Sequence, residues 1–229
     1  MKESEFDKYA EDYDAILKNS TRLFGEETDF FAEYKVRDLF DYITRENKPK
    51  ELILDFGSGI GNSIPWFRKY FKESSLICAD VSSKSLEISS RRFPGKEKYL
   101  VLENGIGMPD NSIDIIFATC VFHHIPKEEH LFWLFEMKRV LKENGVIFIF
   151  EHNPLNPLTR KTVSQCPFDE NAVLISMNEF ALKLKNVGFR KIDYSYRLFF
   201  PNQLAFLRPI EKYLRKVFLG AQYFIIGWK

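Results

Sequence analysis

Residues 52–67 read LILDFGSGIGNSIPWF, and the interpretation of the whole chain turns on them. An apolar run ends at Asp55, then Gly57, Gly59 and Gly61 follow, and then a helical pattern begins. Glycines at such a junction let the backbone turn sharply and let a ligand lie directly on it. The new helix is expected to aim free N–H groups at an anionic part of that ligand. The dinucleotide fingerprint is GxGxxG. Here Asn62 stands in its last place and Gly61 comes one residue early, so the pattern is DxGxGxG, with an acid two residues before the first glycine.

A carboxylate at that place suits a ligand with an ammonium group better than a pyrophosphate. S-adenosylmethionine carries an ammonium, a sulfonium and a carboxylate, and no phosphate. The competing interpretation is a tight strand–helix turn that holds no ligand. A second acid bears on the choice: Asp80 ends the next apolar run, SLICAD, where an acidic residue receives the ribose hydroxyls of an adenosine ligand. Such bonds to a carboxylate are stronger than neutral ones. The alternative role for Asp80 is to cap the helix that begins near Ser82 and Ser83.

Outward from this turn, short apolar runs alternate with amphipathic segments. Residues 51–56, 75–80, 98–103, 113–120 and 145–151 read as strands, apolar on both faces as in a covered parallel sheet. Residues 60–71, 83–93 and 128–142 read as helices. The last sets Leu131, Leu134, Phe135, Lys138 and Leu141 near one face, with Asn144–Gly145 as its stop. Strand then helix, repeated, predicts a doubly wound α/β sheet. Before it, residues 1–49 carry helical patterns near 6–17 and 27–44, closed by Pro49. After it come a turn-rich loop at 152–160, a helix at 178–186 stopped by Gly188, a strand at 189–200, a helix at 203–216 and a last strand at 220–229. The expectation is one domain: a helical cap over 1–49, a cofactor-binding core over 50–152 and an acceptor-side part over 153–229.

LDFGSGIG, the Asp80 strand end, PDNSIDIIFATCVFHHIP and LKENGVIFIFEHN together resemble a class I S-adenosylmethionine-dependent methyltransferase of the broad small-molecule branch. The likeness covers roughly residues 50–152 with specific motifs. It implies a Rossmann-like seven-stranded sheet of order 3-2-1-4-5-7-6 with strand 7 antiparallel, residues 189–200 and 220–229 being strands 6 and 7. It implies that Asp55, Gly57, Ser58, Gly59 and Gly61 hold the methionyl part of the cofactor, that Asp80 holds the ribose and that Val81 flanks the adenine. Glu103–Asn104–Gly105 replaces the family's acidic pair after strand 3, leaving Asn104 to meet the adenine amino group. Cys120, at the end of strand 4, is counted with the cofactor residues. Tyr9 and Tyr13 resemble N-terminal tyrosines that fold over the cofactor, or else anchor an amphipathic helix. The cofactor leaves as S-adenosylhomocysteine.

Methyl transfer from a sulfonium needs alignment of the nucleophile and, for a hydroxyl acceptor, removal of a proton. His123 and His124 follow strand 4 and His152 follows strand 5, at carboxyl strand ends where ligands bind in open α/β sheets. These three are the candidate bases, with Glu151 placed to pair with a histidine and raise its pKa; the alternative is that they orient the loop or touch the cofactor. His130, inside a helix, is expected to be solvated. The acceptor expected is an oxygen of a sugar, a phosphorylated metabolite or a lipid-linked glycan intermediate; a quinone or polyprenyl acceptor accounts equally for the aromatic content. A non-catalytic cofactor binder and a nicotinamide oxidoreductase are the alternatives of other classes, the latter lacking its pyrophosphate turn.

Composition narrows the rest. The chain has 229 residues, 45% hydrophobic and 28% charged, which excludes a disordered protein. Thirty-three basic residues face 32 acidic ones, so no electrostatic footprint for nucleic acid is present in the total. Cys78, Cys120 and Cys166 form no CxxC pair, so neither a disulfide framework nor a zinc site is indicated and no metal is expected. The polar, acidic start lacks signal-peptide character, and no apolar run approaches the ~18 residues of a membrane span. A cytoplasmic location is expected. Residues 197–220 are aromatic and locally basic: they touch a membrane surface or an apolar acceptor, or form a helix packed on the sheet with a snorkelling polar face.

Overall fold

The computed structural model describes residues 25–229. Seven strands form one sheet: β1 (Leu52–Phe56), β2 (Ser75–Asp80), β3 (Lys98–Val101), β4 (Ile113–Thr119), β5 (Leu141–His152), β6 (Arg190–Arg197) and β7 (Gln222–Trp228). Their order is β3-β2-β1-β4-β5-β7-β6. The first five pair in parallel, and β7 runs antiparallel to both β5 and β6. The expected architecture and strand order are both present.

Period-two alternation sorts the strand residues onto two covered faces. Leu54, Phe56, Ile116, Ala118, Ile147 and Ile149 share one core with the helices α4 (His130–Val140) and α6 (Met177–Val187). Their neighbours Ile53, Ile115, Phe117, Phe148 and Phe150 share the other with α1 (Thr28–Arg45), α2 (Ile64–Tyr70) and α3 (Ser83–Arg92). Two further helices, α5 (Pro157–Ser164) and α7 (Glu211–Leu214), lie in the C-terminal part. Helix ends follow local chemistry. Ser82 Oγ accepts from Ser85 N at the start of α3, Asn156 Oδ1 accepts from Thr159 N at the start of α5, and Gly188 (φ 86°) ends α6.

Several expectations are corrected. Helix α2 starts at Ile64, because Gly59 and Gly61 have φ of 52° and 84° and the chain is still turning there. Helix α4 buries His130, Trp133, Leu134, Met137 and Val140, whereas Leu131 and Phe135 are exposed. Asn144–Gly145 does not stop a helix. Leu141 already pairs with Ile113 and Val146 pairs with Ile115, so the residues between them are accommodated in a bulge of β5. The loop at 152–160 turns helical from Pro157, where Asn156 caps and Pro suits the first turn. The helix expected at 203–216 is a 3₁₀ run over Asn202–Ile210, containing Pro209, followed by the single turn α7. That segment does not lay its apolar residues on the sheet: Phe206 and Tyr213 are 75% and 76% exposed. The helical pattern near 6–17, with Tyr9 and Tyr13, lies outside the described residues. No helix among the described residues is long and apolar enough to cross a membrane.

Candidate active site

The strand order reverses between β1 and β4, and the crevice beyond their carboxyl ends is where such sheets bind ligands. A cavity of about 240 Å³ opens there. Gly57, Gly59, Asp80, Val81 and Cys120 line it, as do His123, His124 and His152. Asp55, Ser58 and Gly61 are not among its lining residues. Asn104 is exposed on the loop after β3 and is not among the lining residues, whereas Leu102 is.

The glycine turn is built by crowding on one side and openness on the other. Gly57 has φ 74°, and a Cβ there would collide with Val121 after β4. Gly59 has φ 52°, and a Cβ there would meet nothing within 4 Å, so its outer side is the cavity itself. Gly57 N and Ser58 N both donate to Ala79 O, Gly59 N donates to Asp80 Oδ2 and Gly61 N donates to Ser58 O. These N–H groups are therefore engaged within the turn and its neighbouring strand. What the turn leaves unsatisfied is on side chains: Asp55 Oδ2 and Ser58 Oγ are buried without a hydrogen-bond partner. Burial and the neighbouring Asp80 charge push the Asp55 carboxyl up to about 8. Asp80 also accepts from Ser82 N through Oδ1 at 2.9 Å, while Ser82 rather than Asp80 caps α3.

Across the cavity, the loop after β4 brings the histidines together. The His123 and His124 rings have centroids 4.1 Å apart, and the His152 ring lies 5.2 Å from His123. Glu151, fully buried on β5, organises them. Its Oε1 accepts from Val121 N and Phe122 N at 3.1 and 2.8 Å, and its Oε2 stands 2.6 Å from His123 Nδ1. The expected pairing of Glu151 with a histidine is thus present, with His123. On the other side His123 Nε2 is 3.3 Å from Asp169 Oδ1. Burial alone would lower the His123 pKa, but the Glu151 charge and the Asp169 hydrogen bond outweigh it and carry it up to about 10. His124 goes the other way, pushed to about 3 by burial and by the His123 charge. Asp169 is held to about 2 against burial by its bond to His123.

Cys120 is the third feature. It holds φ 57°, an uncommon conformation for a residue with a side chain and one that recurs at functional sites. Lys35 Nζ on α1 donates to its Sγ at 3.2 Å. Burial would raise the thiol, but the Lys35 and His152 charges outweigh it and bring it to about 6. Gln222, the first residue of β7, pairs with His152 across the sheet, and its Nε2 stands 3.3 Å from His152 Nδ1. Tyr34 OH donates to Gln222 Oε1 and fixes the amide. His130 is not solvated: it is fully buried, and its Nε2 lies within 3.0 Å of Phe122 O and Ile125 O, so it pins the turn that carries His123 and His124.

Lys35, Asp169 and Gln222 were missed from the sequence. Gln222 had a signal, since strand 7 beside strand 5 puts its first residue opposite His152. Lys35, one of three basic residues on an amphipathic helix, and Asp169, in a short 3₁₀ turn, had none.

Residues 54–149 match the family model described as a methyltransferase domain. The chain is 33% identical over 129 residues to the "Probable methyltransferase ltbC" of Aspergillus luteorubrus, covering 51% of this chain and 44% of that protein. It is 23% identical over 217 residues to the "Ubiquinone/menaquinone biosynthesis C-methyltransferase UbiE" of Campylobacter jejuni, covering 82% and 89%. The chain spans less than half the length of the Aspergillus relative and of a methyltransferase-like protein of Schizosaccharomyces pombe, 44% and 43%. Among solved structures, a Thermotoga maritima S-adenosylmethionine-dependent methyltransferase, described as a possible histamine N-methyltransferase, superposes with a TM-score of 0.70 over 99% of both chains at 18% identity. At that identity the likeness shows the fold. Domain match and sheet order agree: residues 54–149 match a methyltransferase domain, and the chain has the fold of the S-adenosylmethionine-dependent methyltransferases.

Proposed function

We propose that the protein methylates an oxygen of a small-molecule acceptor, such as a hydroxyl of a sugar, a phosphorylated metabolite or a lipid-linked glycan intermediate. The observation that carries this reading is the meeting, in one cavity, of the open face of Gly59 with His152 and the Glu151–His123–Asp169 cluster. S-adenosylmethionine, when bound, supplies a methyl group on a sulfonium, already activated for displacement. The residues present suit it: Gly59 leaves the turn open to the cavity and Asp80 lines it, while Asp55 and Ser58 stand behind the turn with unpartnered buried atoms. Asp80 would take the ribose hydroxyls, and Val81 and Cys120, which line the same cavity, would border the rest of the cofactor.

His152 is the base in this reading. His123 is held as a cation between two carboxylates, and His124 is kept neutral by burial beside it. His152 lines the cavity at the end of β5, with Gln222 fixing its ring. His152 would take the proton of the acceptor hydroxyl, while the cofactor would supply the methyl group and leave as S-adenosylhomocysteine. A positioned base contributes ~10²–10⁴-fold. Turnover assays that detect S-adenosylhomocysteine across a panel of hydroxyl acceptors should find a substrate. With it, His152→Ala should lower kcat at least ~100-fold at nearly constant cofactor affinity. Near-normal kcat in that variant contradicts the base assignment, and turnover with no hydroxyl acceptor contradicts the oxygen reading.

One finding favours a second acceptor class. The UbiE relative aligns over 82% of this chain, and its name specifies C-methylation in ubiquinone/menaquinone biosynthesis. A quinol ring carbon is therefore included in the same panel.

A further inference from the structure

His123, His124 and Asp169 form the one cluster among the described residues whose ligand atoms suit a metal ion. The Nε2 atoms of the two histidines stand 3.3 and 3.4 Å from a single oxygen, Asp169 Oδ1. All three ligand atoms lie within 4.8 Å of one another. Donors bound to one cation at about 2.0–2.1 Å with tetrahedral angles are separated by roughly 3.3–3.4 Å. Both edges have that length.

The surroundings are those of a held ligand rather than of loose surface groups. His123 is 1% exposed and its far nitrogen, Nδ1, is fixed by Glu151 Oε2 at 2.6 Å. Glu151 is fixed in turn by two backbone N–H groups. A buried carboxylate on the second nitrogen is what orients a metal-bound imidazole and raises its basicity. The segment carrying Asp169 is tied to the histidine loop through Val173 N donating to His123 O at 2.8 Å. An ion between Glu151, Asp169 and the histidines supplies positive charge beside two carboxylates. All three ligand residues line the cavity, which leaves the remaining coordination positions toward it.

We propose that His123 Nε2, His124 Nε2 and Asp169 Oδ1 bind one divalent first-row transition-metal ion, which displaces the Nε2 proton of His123 to solvent, with Glu151 orienting His123, and that the ion's open position takes the acceptor oxygen. Two imidazoles and one carboxylate with open positions suit Zn²⁺, Co²⁺ or Fe²⁺ better than Mg²⁺ or Ca²⁺, which prefer oxygen ligands. A bound cation polarises an acceptor hydroxyl as a Lewis acid, so that its proton passes more readily to His152. Ion binding stands independently of the methyl-transfer reading, and the role toward the acceptor rests on it. The absence of zinc-type cysteine spacing left this site unseen, because its third ligand comes from a distant turn with no metal motif around it.

The test uses tag-free, chelator-treated full-length protein, titrated with Co²⁺ by visible spectroscopy and then with competing Zn²⁺ by calorimetry. One equivalent of Co²⁺ should bind with ligand-field bands of four- or five-coordinate intensity, and Zn²⁺ should displace it. His124→Ala and Asp169→Asn should each lower the affinity by at least ~100-fold while S-adenosylmethionine affinity is kept. The two variants remove different ligands, so misfolding of one leaves the other to report. No saturable binding in the parent, or less than ~10-fold loss in a folded variant, overturns the proposal. Failure of the parent to bind S-adenosylmethionine would overturn the functional reading instead, without touching the metal result.

Discussion

At the residue scale, Asp55 shows how a site can be stored at a cost. Its carboxyl is 2% exposed, has one unpartnered oxygen and lies close enough to Asp80 to feel its charge. Lifted from ~3.9 in the unfolded chain to about 8, it binds a proton in the folded state that the unfolded state has released. Where the folded state binds more protons, stability falls as pH rises, here from near pH 4 up through pH 8. Asp55→Asn removes this dependence. The variant should melt above the parent at pH 8, with an advantage that shrinks toward pH 5; a pH-independent difference would contradict the assignment. Asp55 was legible in the sequence as the acid before the glycines, but its proton was not, because that depends on burial and on Asp80.

At the element scale, strands were easier to read than helix faces. In β4, Ile113–Thr119 is buried at nearly every position and alternates between two cores, so any register satisfies the pattern. In α4 the run HLFWLFEMKRV is apolar on several sides, and spacing alone does not fix its rotation. Packing fixes it: Trp133 meets Phe56 edge-on at 5.4 Å, leaving Leu131 and Phe135 exposed. His130 follows from that rotation, and its bonds to Phe122 O and Ile125 O couple α4 to the histidine loop. Phe180 of α6, fully buried, stacks edge-on against Phe122 at 4.9 Å beneath the same loop. Phe180→Ala should therefore cost about 3–5 kcal/mol of stability, measured by denaturant unfolding. A loss under about 1 kcal/mol would show that this contact does not hold the loop, since even smaller core truncations cost that much.

At the scale of the whole molecule, the cavity wall supplied by residues 52–152 was legible and the wall supplied from elsewhere was not. The turn, Asp80 and the histidines sit at strand ends within residues 52–152, where alternation and spacing by themselves place them. Lys35, Asp169 and Gln222 come from α1, a 3₁₀ turn and the start of β7, and only the folded sheet brings them to the cavity. The central claim is that this cavity binds S-adenosylmethionine through the glycine turn and Asp80. Calorimetric titration of the cofactor tests it most directly. The parent should bind at one site. Asp80→Ala should weaken binding by about 1.5–3 kcal/mol, as for a lost bond to a charged group. Gly59→Val should abolish it by filling the open side of the turn. No binding by the parent, or parental affinity in both folded variants, would contradict the claim.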